Sequence, residues 1–469
     1  MKIITDFSEE QYSTKNNLYL FFAGISLSII FVFFLYFGLS EKMFILLLGF
    51  VVCLIFLFSS NITYYFFLTL IFLPYIYILR IHPAVVFSVF LLLSTIFNIK
   101  VNIWNKSKNH LWFPLFVYFI STLPSFVNTS EPLLSLRDFS NLISLFIVFF
   151  VTIHLIDSIK KMKGVFYFFI VAVLFHSLIV IYLGVTSNFR AFGLLGVLYS
   201  DFAGLGSVLT FILFIYIGGI KKIFAGIAFI LITFGLILTQ TRNAWISFGF
   251  ALVSLMIFLI FKGNSFYVKR KLIGSTLFIS IIIIGILFIF AGSFNSKMES
   301  RIDITNQSVI TDDPESVATN SFVSRVLIWH TAVIAFLEHP VIGIGVYSFK
   351  HTSEIYYKIP KVFYKLYVEG KTPHITYLQV LTETGIVGLI AFIFFISRVV
   401  REIRNVLSLK KTKEETIISL MISWSLLYIV FSMFMTESWL YGQYIVWIGV
   451  LLGCLVNISR IPNIKNVSE

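Results

Sequence analysis

Four residues in the second half of this chain have side chains suited to chemistry on an anionic substrate: Arg242, Arg325, His374 and Glu383. Arginine binds phosphate oxygens in a bidentate way that lysine cannot reproduce. A neutral histidine can accept a proton and so act as a general base. A carboxylate within an apolar run is costly and is a functional candidate by default. Together these residue types favour a site that neutralises a phosphate and takes a proton from a hydroxyl.

Arg242 lies in the polar stretch 239–243, between two apolar runs that are too close for a long loop. A bare charge near hydrocarbon costs about 2.5 kcal/mol or more, so the guanidinium should have an anionic partner. One hypothesis is a phosphate ligand. The alternative is an anchor that reaches to lipid headgroups.

Arg325 begins a segment whose apolar residues, Val326, Trp329, Val333 and Leu337, follow helical spacing. This pattern predicts an amphipathic helix over residues 322–338 that lies in the membrane plane. An arginine in a first helical turn is poorly placed for the helix dipole, which favours anions there. The mismatch suggests an anionic ligand, and the alternative is a solvated surface charge.

His374 follows Pro373 and opens the next apolar run, and Glu383 lies further along that run. A neutral imidazole at this position can act as a general base. The alternative is a histidine that only makes a structural hydrogen bond. For Glu383 the alternative is a structural ion pair with an arginine.

Residues 350–371 interleave lysines with aromatic side chains. Aromatic rings could stack on sugar faces while the ammonium groups attract phosphates. The alternative is an interfacial belt in contact with lipid headgroups.

The composition indicates a membrane protein, because 58% of the 469 residues are hydrophobic and only 12% are charged. A soluble domain has roughly 25% charged residues. Many apolar runs approach the length that spans a bilayer, which predicts an all-α polytopic integral membrane protein with about 12–14 transmembrane helices. The net charge of +13 comes from basic residues in short loops, which indicates topology rather than binding to nucleic acid. Cys53 and Cys454 fall in apolar runs, so neither a disulfide nor a metal cluster is expected.

Loop charge predicts that both termini are cytoplasmic and that the large polar loop lies outside. We expect one integrated membrane domain with an N-terminal bundle over 1–291, an extracytoplasmic loop over 292–373 and C-terminal helices over 374–469. The basic segment 398–413 is expected to be a cytoplasmic loop.

Three stretches carry motifs in a characteristic order. Residues 239–245 give a Thr-x-Thr-Arg turn, residues 325–345 give Arg-x3-Trp and then Pro-x2-Gly-x-Gly, and residues 373–388 give Pro-His-x2-Tyr-Leu-Gln and then Glu-x-Gly-x2-Gly. A weaker match is Arg190 followed by Gly193. The set resembles the O-antigen ligase and O-antigen polymerase family of bacterial membrane glycosyltransferases. Ile375 departs from this pattern, since the family usually has Asn after its His.

The resemblance implies transfer of a glycan from undecaprenyl diphosphate to an acceptor hydroxyl outside the cytoplasmic membrane, with no cofactor and no required metal. It implies catalytic roles for His374, Arg242 and Arg325. The implied substrate-binding residues are Arg190, Trp329, Gly343, Gly345, Tyr377, Gln379 and Glu383. The expected partners are the lipid-linked oligosaccharide donor, a glycan or lipid-linked acceptor, membrane lipids and other polysaccharide-assembly proteins.

The sequence leaves several functions open. A polymerase, which adds the chain to another lipid-linked repeat, is the leading hypothesis. A ligase would use the same chemistry on lipid A core or on a wall component. A lipid-oligosaccharide transporter is the alternative of another class, although transporters place their charges near the midplane between repeats.

Overall fold

The computed structural model describes residues 110–187, 191, 193, 196, 198–262, 321–409, 411–436 and 442–460. This part of the chain consists of helices and connecting turns, without strands. Seven of its helices are long and apolar enough to cross a membrane. The expected all-α polytopic class is confirmed, whereas the total of about 12–14 spans stays a prediction. Cys53, Arg190, the runs before residue 110 and residues 263–320 lie outside the described residues.

In chain order, the described helices are α1 (Trp112–Thr122), a 3-10 helix (Leu123–Asn128), α2 (Pro132–Leu155), α3 (Ile159–Ser187), α4 (Leu198–Tyr216), α5 (Ile220–Leu238), α6 (Arg242–Lys262), α7 (Ser321–Glu338), α8 (Phe349–Tyr356), α9 (Lys361–Tyr367), α10 (Thr376–Ser408), α11 (Lys413–Ser432) and α12 (Gly442–Ser459).

The cytoplasmic loop expected over 398–413 is shorter than predicted, because α10 continues to Ser408. Arginine and glutamate are good helix formers, so the helix does not stop where the apolar run ends. Arg398 lies over the Phe394 ring at 5.1 Å from its centroid. The next helix begins at once with a capping box between Thr412 and Glu415.

The described helices divide into two compact units. The first contains residues 140–172 and α12. Here Phe169 stacks on Trp447 at 4.2 Å, and the Asn457 amide donates to the carbonyls of Ile153 and Ile156 at 3.0 and 2.9 Å. Cys454 is buried in this unit, as expected for a small core residue.

The second unit, residues 110–139 and 173–439, carries the sequence motifs. Its apolar helices are joined by polar contacts, which are common between membrane helices. Tyr199 donates to Ser177 Oγ at 2.7 Å, and Thr233 donates to Ser207 Oγ at 3.1 Å.

A break in α10 organises the second unit. Gly385 has φ 65° and ψ −167°, so the helix interrupts its own hydrogen bonding there. Loop 340–345 supplies the missing partners. Four backbone bonds form: Ile344 N to Thr382 O (3.1 Å), Gly345 N to Glu383 O (3.0 Å), Ile386 N to Pro340 O (3.0 Å) and Val387 N to Val341 O (3.3 Å).

This contact is close enough to require glycine on both sides. A Cβ on Gly343 would collide with the Glu383 carbonyl group and the Thr384 nitrogen, and a Cβ on Gly385 would collide with the Val341 carbonyl. Both glycines also have positive φ, which disfavours other residues. The glycines of two sequence motifs therefore meet in one backbone-to-backbone contact.

We predict that Gly343→Ala destabilises the protein much more than Gly370→Ala. Both glycines have similar positive φ, 73° and 69°, but nothing lies within 4 Å of a Cβ on Gly370. The left-handed conformation alone costs roughly 1–2 kcal/mol. The added clash at Gly343 involves backbone that cannot move aside. Thermal unfolding of the detergent-purified variants measures the difference, and equal losses for both variants would contradict the role of this backbone contact.

Candidate active site

The first site segment is the turn 239–243, which joins α5 to α6. Thr239 Oγ1 donates to the Leu236 carbonyl at 2.7 Å and accepts from the Thr241 amide at 3.3 Å. Gln240 adopts a left-handed backbone with φ 51°. The turn ends in Arg242, which is exposed and is the first residue of α6.

The second segment is the start of α7, and it touches the first. The half-buried Arg325 places Nη1 and Nη2 each 3.4 Å from Asn243 Oδ1. The Arg325 guanidinium therefore lies against the residue that follows Arg242 in the chain. This contact brings together the two segments that carry the candidate phosphate-binding arginines.

The third segment is the turn that carries His374. Trp329, one helical turn after Arg325 and on the same side of α7, donates from Nε1 to the Pro373 carbonyl at 2.8 Å. That carbonyl belongs to the peptide bond between Pro373 and His374, so Trp329 holds the backbone of His374 directly. His374 is half-buried and has a left-handed φ of 57°.

A turn after α11, residues 433–436, connects these segments. The Asn243 amide donates to the Met435 carbonyl at 2.6 Å. From the other side, the Thr376 nitrogen donates to Met433 O at 3.0 Å and its hydroxyl donates to Thr436 O at 2.7 Å. Asn243 and the start of α10 are thus fixed to the same short turn. We call the set Arg242, Asn243, Arg325, Trp329 and His374 the cationic cluster.

Left-handed backbone at non-glycine residues marks the same motifs. Among the described residues such φ values occur at Gln240 and His374, which lie in motif stretches, and at Tyr347, two residues after the Gly345 motif. Conformations of this kind cost about 1–3 kcal/mol each and persist where the surroundings impose them. The surrounding structure therefore holds these three residues in conformations that they would not adopt alone.

A second group surrounds the buried side chain of Glu383. Its carboxylate accepts hydrogen bonds from the backbone nitrogens of Tyr347 (2.8 Å) and Phe349 (3.3 Å) and from Gln379 Nε2 (3.3 Å). Phe349 begins α8, where a carboxylate is favourable to the helix dipole. Backbone and side-chain amides, rather than the arginine that one hypothesis expected, bind this carboxylate.

Gly343 and Gly345 belong to this second group, because their loop packs on the backbone of Glu383. We call the set Gly343, Gly345, Gln379 and Glu383 the loop clamp. Its members are buried, whereas the residues of the cationic cluster are exposed or half-buried. Tyr377 lies beside Phe392 and Phe434, with ring centroids 5.7 and 4.5 Å away.

Sequence reasoning missed the segment 125–135, which binds loop 340–345 and the residues that follow it. Asn128 donates to the Gly343 carbonyl at 2.7 Å, and the Val346 nitrogen donates to Ser125 Oγ at 3.0 Å. The hydroxyls of Thr129, Ser135 and Ser348 contact one another at 2.7 to 3.0 Å. The available sequence indication was the polar stretch 128–131 between two apolar runs.

Three tyrosines of residues 350–371 are not accessible for the sugar stacking that was one of the two alternatives for this segment. Tyr356, Tyr364 and Tyr367 are buried in a core with Ile328 and Ala332 of α7. The side chains that remain exposed in this segment include Lys358, Lys361 and Lys365. Most of the aromatic surface therefore attaches α8 and α9 to α7.

One lysine of this segment, Lys371, is half-buried. Lys371 donates to Ser324 Oγ at 3.2 Å and to the Leu366 carbonyl at 3.1 Å. Burial lowers the pKa of the Lys371 ammonium. These bonds attach the chain just before His374 to the first turn of α7.

Helix α7 is confirmed, and it has two apolar faces. Ile328, Ala332 and Ala335 are buried in the core, whereas Val326, Val333 and Leu337 of the predicted stripe are exposed. The stripe is therefore an exposed apolar surface, and the orientation of α7 in the membrane plane stays a prediction.

Comparison with known proteins gives a family match for part of the chain. Residues 227–393 match the family model described as O-antigen ligase. The matched segment contains all of the cationic cluster and all of the loop clamp. The family resemblance expected from the motifs is confirmed. A comparison with curated proteins gives no match.

We predict that Trp329→Phe loosens the His374 turn. The variant keeps an aromatic ring but removes the hydrogen bond to Pro373 O. Losing one such bond should speed amide exchange at residues 371–376 by roughly two- to tenfold. Hydrogen–deuterium exchange with mass spectrometry measures this, with the Thr376 amide bonded to Met433 O as the reporter.

The matched control is Trp424→Phe, which loses a comparable indole bond to Ser254 between α11 and α6. It should leave exchange at residues 371–376 unchanged. If both variants gave the same exchange in that segment, Trp329 would have no special role in holding the turn.

Proposed function

We propose that this chain, whose residues 227–393 match the O-antigen ligase family model, is a multi-pass membrane glycosyltransferase that transfers a glycan from an undecaprenyl diphosphate carrier to an acceptor hydroxyl. The proposed reaction takes place on the extracytoplasmic face of a bacterial cytoplasmic membrane, with both termini of the chain in the cytoplasm.

One observation carries the proposal. A single side of α7 binds the Asn243 side chain through Arg325 and the Pro373 carbonyl through Trp329. It therefore joins Arg325 on α7 and the turn that carries Arg242 to the turn that carries His374. A glycan transfer from a diphosphate needs these two components, an anion-binding group and a base, at one place.

The arginines of the cluster would act on the leaving group. A diphosphate is already stable as an anion, so its departure requires charge neutralisation more than a proton. Preorganised cations aimed at developing negative charge are a major source of catalysis. In this proposal Arg242 and Arg325 bind the diphosphate oxygens through bidentate hydrogen bonds.

His374 would act on the acceptor. As the acceptor oxygen attacks the anomeric carbon, the bond from that carbon to the diphosphate oxygen breaks and the hydroxyl proton passes to the imidazole. The electron pair of the broken bond leaves with the diphosphate. One direct displacement of this kind inverts the anomeric configuration. The proposed step uses no metal and no cofactor.

The remaining predicted site residues have different places in the proposal. Trp329 holds the His374 backbone, and Tyr377 lies next to Thr376 at the start of α10. The burial of Gly343, Gly345, Gln379 and Glu383 supports a role in positioning the loop against α10, through which they would affect substrate binding. A substrate contact for Arg190 stays a prediction.

A polymerase is our first proposal for the biological reaction, and a ligase is the second because the matching family model is described as O-antigen ligase. The glycans that accumulate after deletion of the gene distinguish the two reactions. Loss of a polymerase leaves single repeats attached to the normal acceptor. Loss of a ligase leaves long lipid-linked chains that are not attached. Lipid-linked repeats trapped on the cytoplasmic side would instead indicate the transporter alternative.

We predict that Arg325→Lys lowers kcat/KM for glycan transfer by roughly tenfold to a hundredfold, the value of a charged hydrogen bond. Lysine keeps the charge but loses the planar fork that fits phosphate. Purified protein in liposomes with a lipid diphosphate oligosaccharide provides the assay. The control is Arg401→Lys on the exposed side of α10. Full activity of Arg325→Lys would remove the bidentate contact from the proposal.

We predict that His374→Ala and His374→Gln both lose transfer by roughly 100- to 10,000-fold while donor binding survives, since general-base catalysis contributes about this much. Glutamine can still donate and accept hydrogen bonds, but its amide cannot act as a base near neutral pH. The control is His330→Gln, an exposed histidine of α7. Substantial transfer by folded His374→Gln would show that His374 is a structural anchor and not the base.

A further inference from the structure

Asn243 lies between the Arg325 side chain and the turn 433–436. It was predicted neither as a phosphate ligand nor as a base. Its side chain is half-buried at the start of α6. Its Nδ2 donates to the Met435 carbonyl at 2.6 Å, and its Oδ1 accepts from Nη1 and Nη2 of Arg325 at 3.4 Å. The amide thus joins Arg325 to the turn 433–436.

The orientation of this amide is determined by its partners. A carbonyl can only accept and a guanidinium can only donate. The nitrogen of Asn243 must therefore face Met435 O, and its oxygen must face Arg325, since the flipped amide would make neither bond. Both ends of the side chain are used by a specific partner.

The choice of an amide has an electrostatic consequence. A carboxylate in the same place would bind the guanidinium more strongly, but it would also cancel its charge and compete with any anionic ligand. It would further place an oxygen against the Met435 carbonyl oxygen, where the amide now donates. Alanine would leave the charge of Arg325 intact but would remove both bonds. Asparagine orients the guanidinium without cancelling its charge.

The same turn also holds the start of α10. Thr376, two residues after His374, is bonded to Met433 and Thr436. The position of Arg325 relative to the base-bearing turn therefore depends on Asn243 through one short stretch of backbone.

We infer that Asn243 is a positioning residue for the diphosphate site: it orients Arg325 and ties it to turn 433–436 without neutralising its charge. This inference rests on the proposed function, because it assumes that Arg325 binds a diphosphate.

Affinity for a diphosphate provides the test, with a short-chain water-soluble prenyl diphosphate as the probe and the full-length protein in nanodiscs. We expect Asn243→Asp to raise the Kd by at least about tenfold, since like charges at a binding site are strongly unfavourable. Asn243→Ala should raise it by less, although alanine is less similar to asparagine in shape. An Asp variant that binds the probe like the wild type would overturn the inference, and so would an Ala variant that loses more affinity than the Asp variant.

A double-mutant cycle tests independently whether Asn243 acts through Arg325. It also covers the case in which Asn243→Asp does not fold. If Asn243 acts through Arg325, Asn243→Ala should change the Kd far less in an Arg325→Lys background than alone. Additive effects would overturn the inference. The charge control is Ser408→Asp, which adds the same charge at the exposed last residue of α10 and should leave the Kd unchanged.

Different results would overturn the proposed function and the role of Asn243. A wild-type protein that neither binds the probe nor transfers glycan overturns the proposed function, and the inference falls with it. A wild-type protein that binds the probe, together with wild-type affinity in Asn243→Asp, overturns only the role of Asn243.

Discussion

The break of α10 at Gly385 imposes the constraint on which the rest of the second unit depends. Backbone groups released inside an apolar helix must find partners within the protein, because lipid offers none. Loop 340–345 supplies them, and this fixes the end of α7 against α10. Nearer to the start of α7, Trp329 donates to the Pro373 carbonyl, so α7 is bound both at the middle of α10 and at the turn just before it. Segment 125–135 holds the loop from its other side.

The motif residues therefore divide into two groups with different physical roles. The loop clamp is buried: a Cβ on Gly343 would collide with backbone, and the Glu383 carboxylate accepts a hydrogen bond from the Tyr347 nitrogen. The cationic cluster is exposed or half-buried, and its turns are held in left-handed conformations at Gln240 and His374. Rigid support beneath a constrained, accessible set of charges is the arrangement that preorganised electrostatic catalysis requires.

Two contacts that join the segments of the cluster involve neutral groups. Asn243 contacts Arg325 through an amide, and Trp329 holds the histidine turn through an indole and a carbonyl. Because the amide and the carbonyl carry no net charge, these two contacts orient Arg325 and the His374 turn without neutralising the guanidinium. In the proposed reaction this matters most at the diphosphate, whose affinity and departure both depend on the positive charge of the arginines.

The sequence by itself determined the membrane class, the helix over residues 322–338 and the motif residues, because composition, periodicity and local spacing are encoded in short stretches. Only the tertiary structure decided that α10 runs past Arg398 to Ser408, that Tyr356, Tyr364 and Tyr367 are core, and that Glu383 binds backbone amides. It also revealed Asn243, Asn128 and the turn 433–436, whose partners are distant in the chain. Periodicity shows that a helix has an apolar face but not what packs on that face, and a hydrogen bond between distant segments leaves no local pattern.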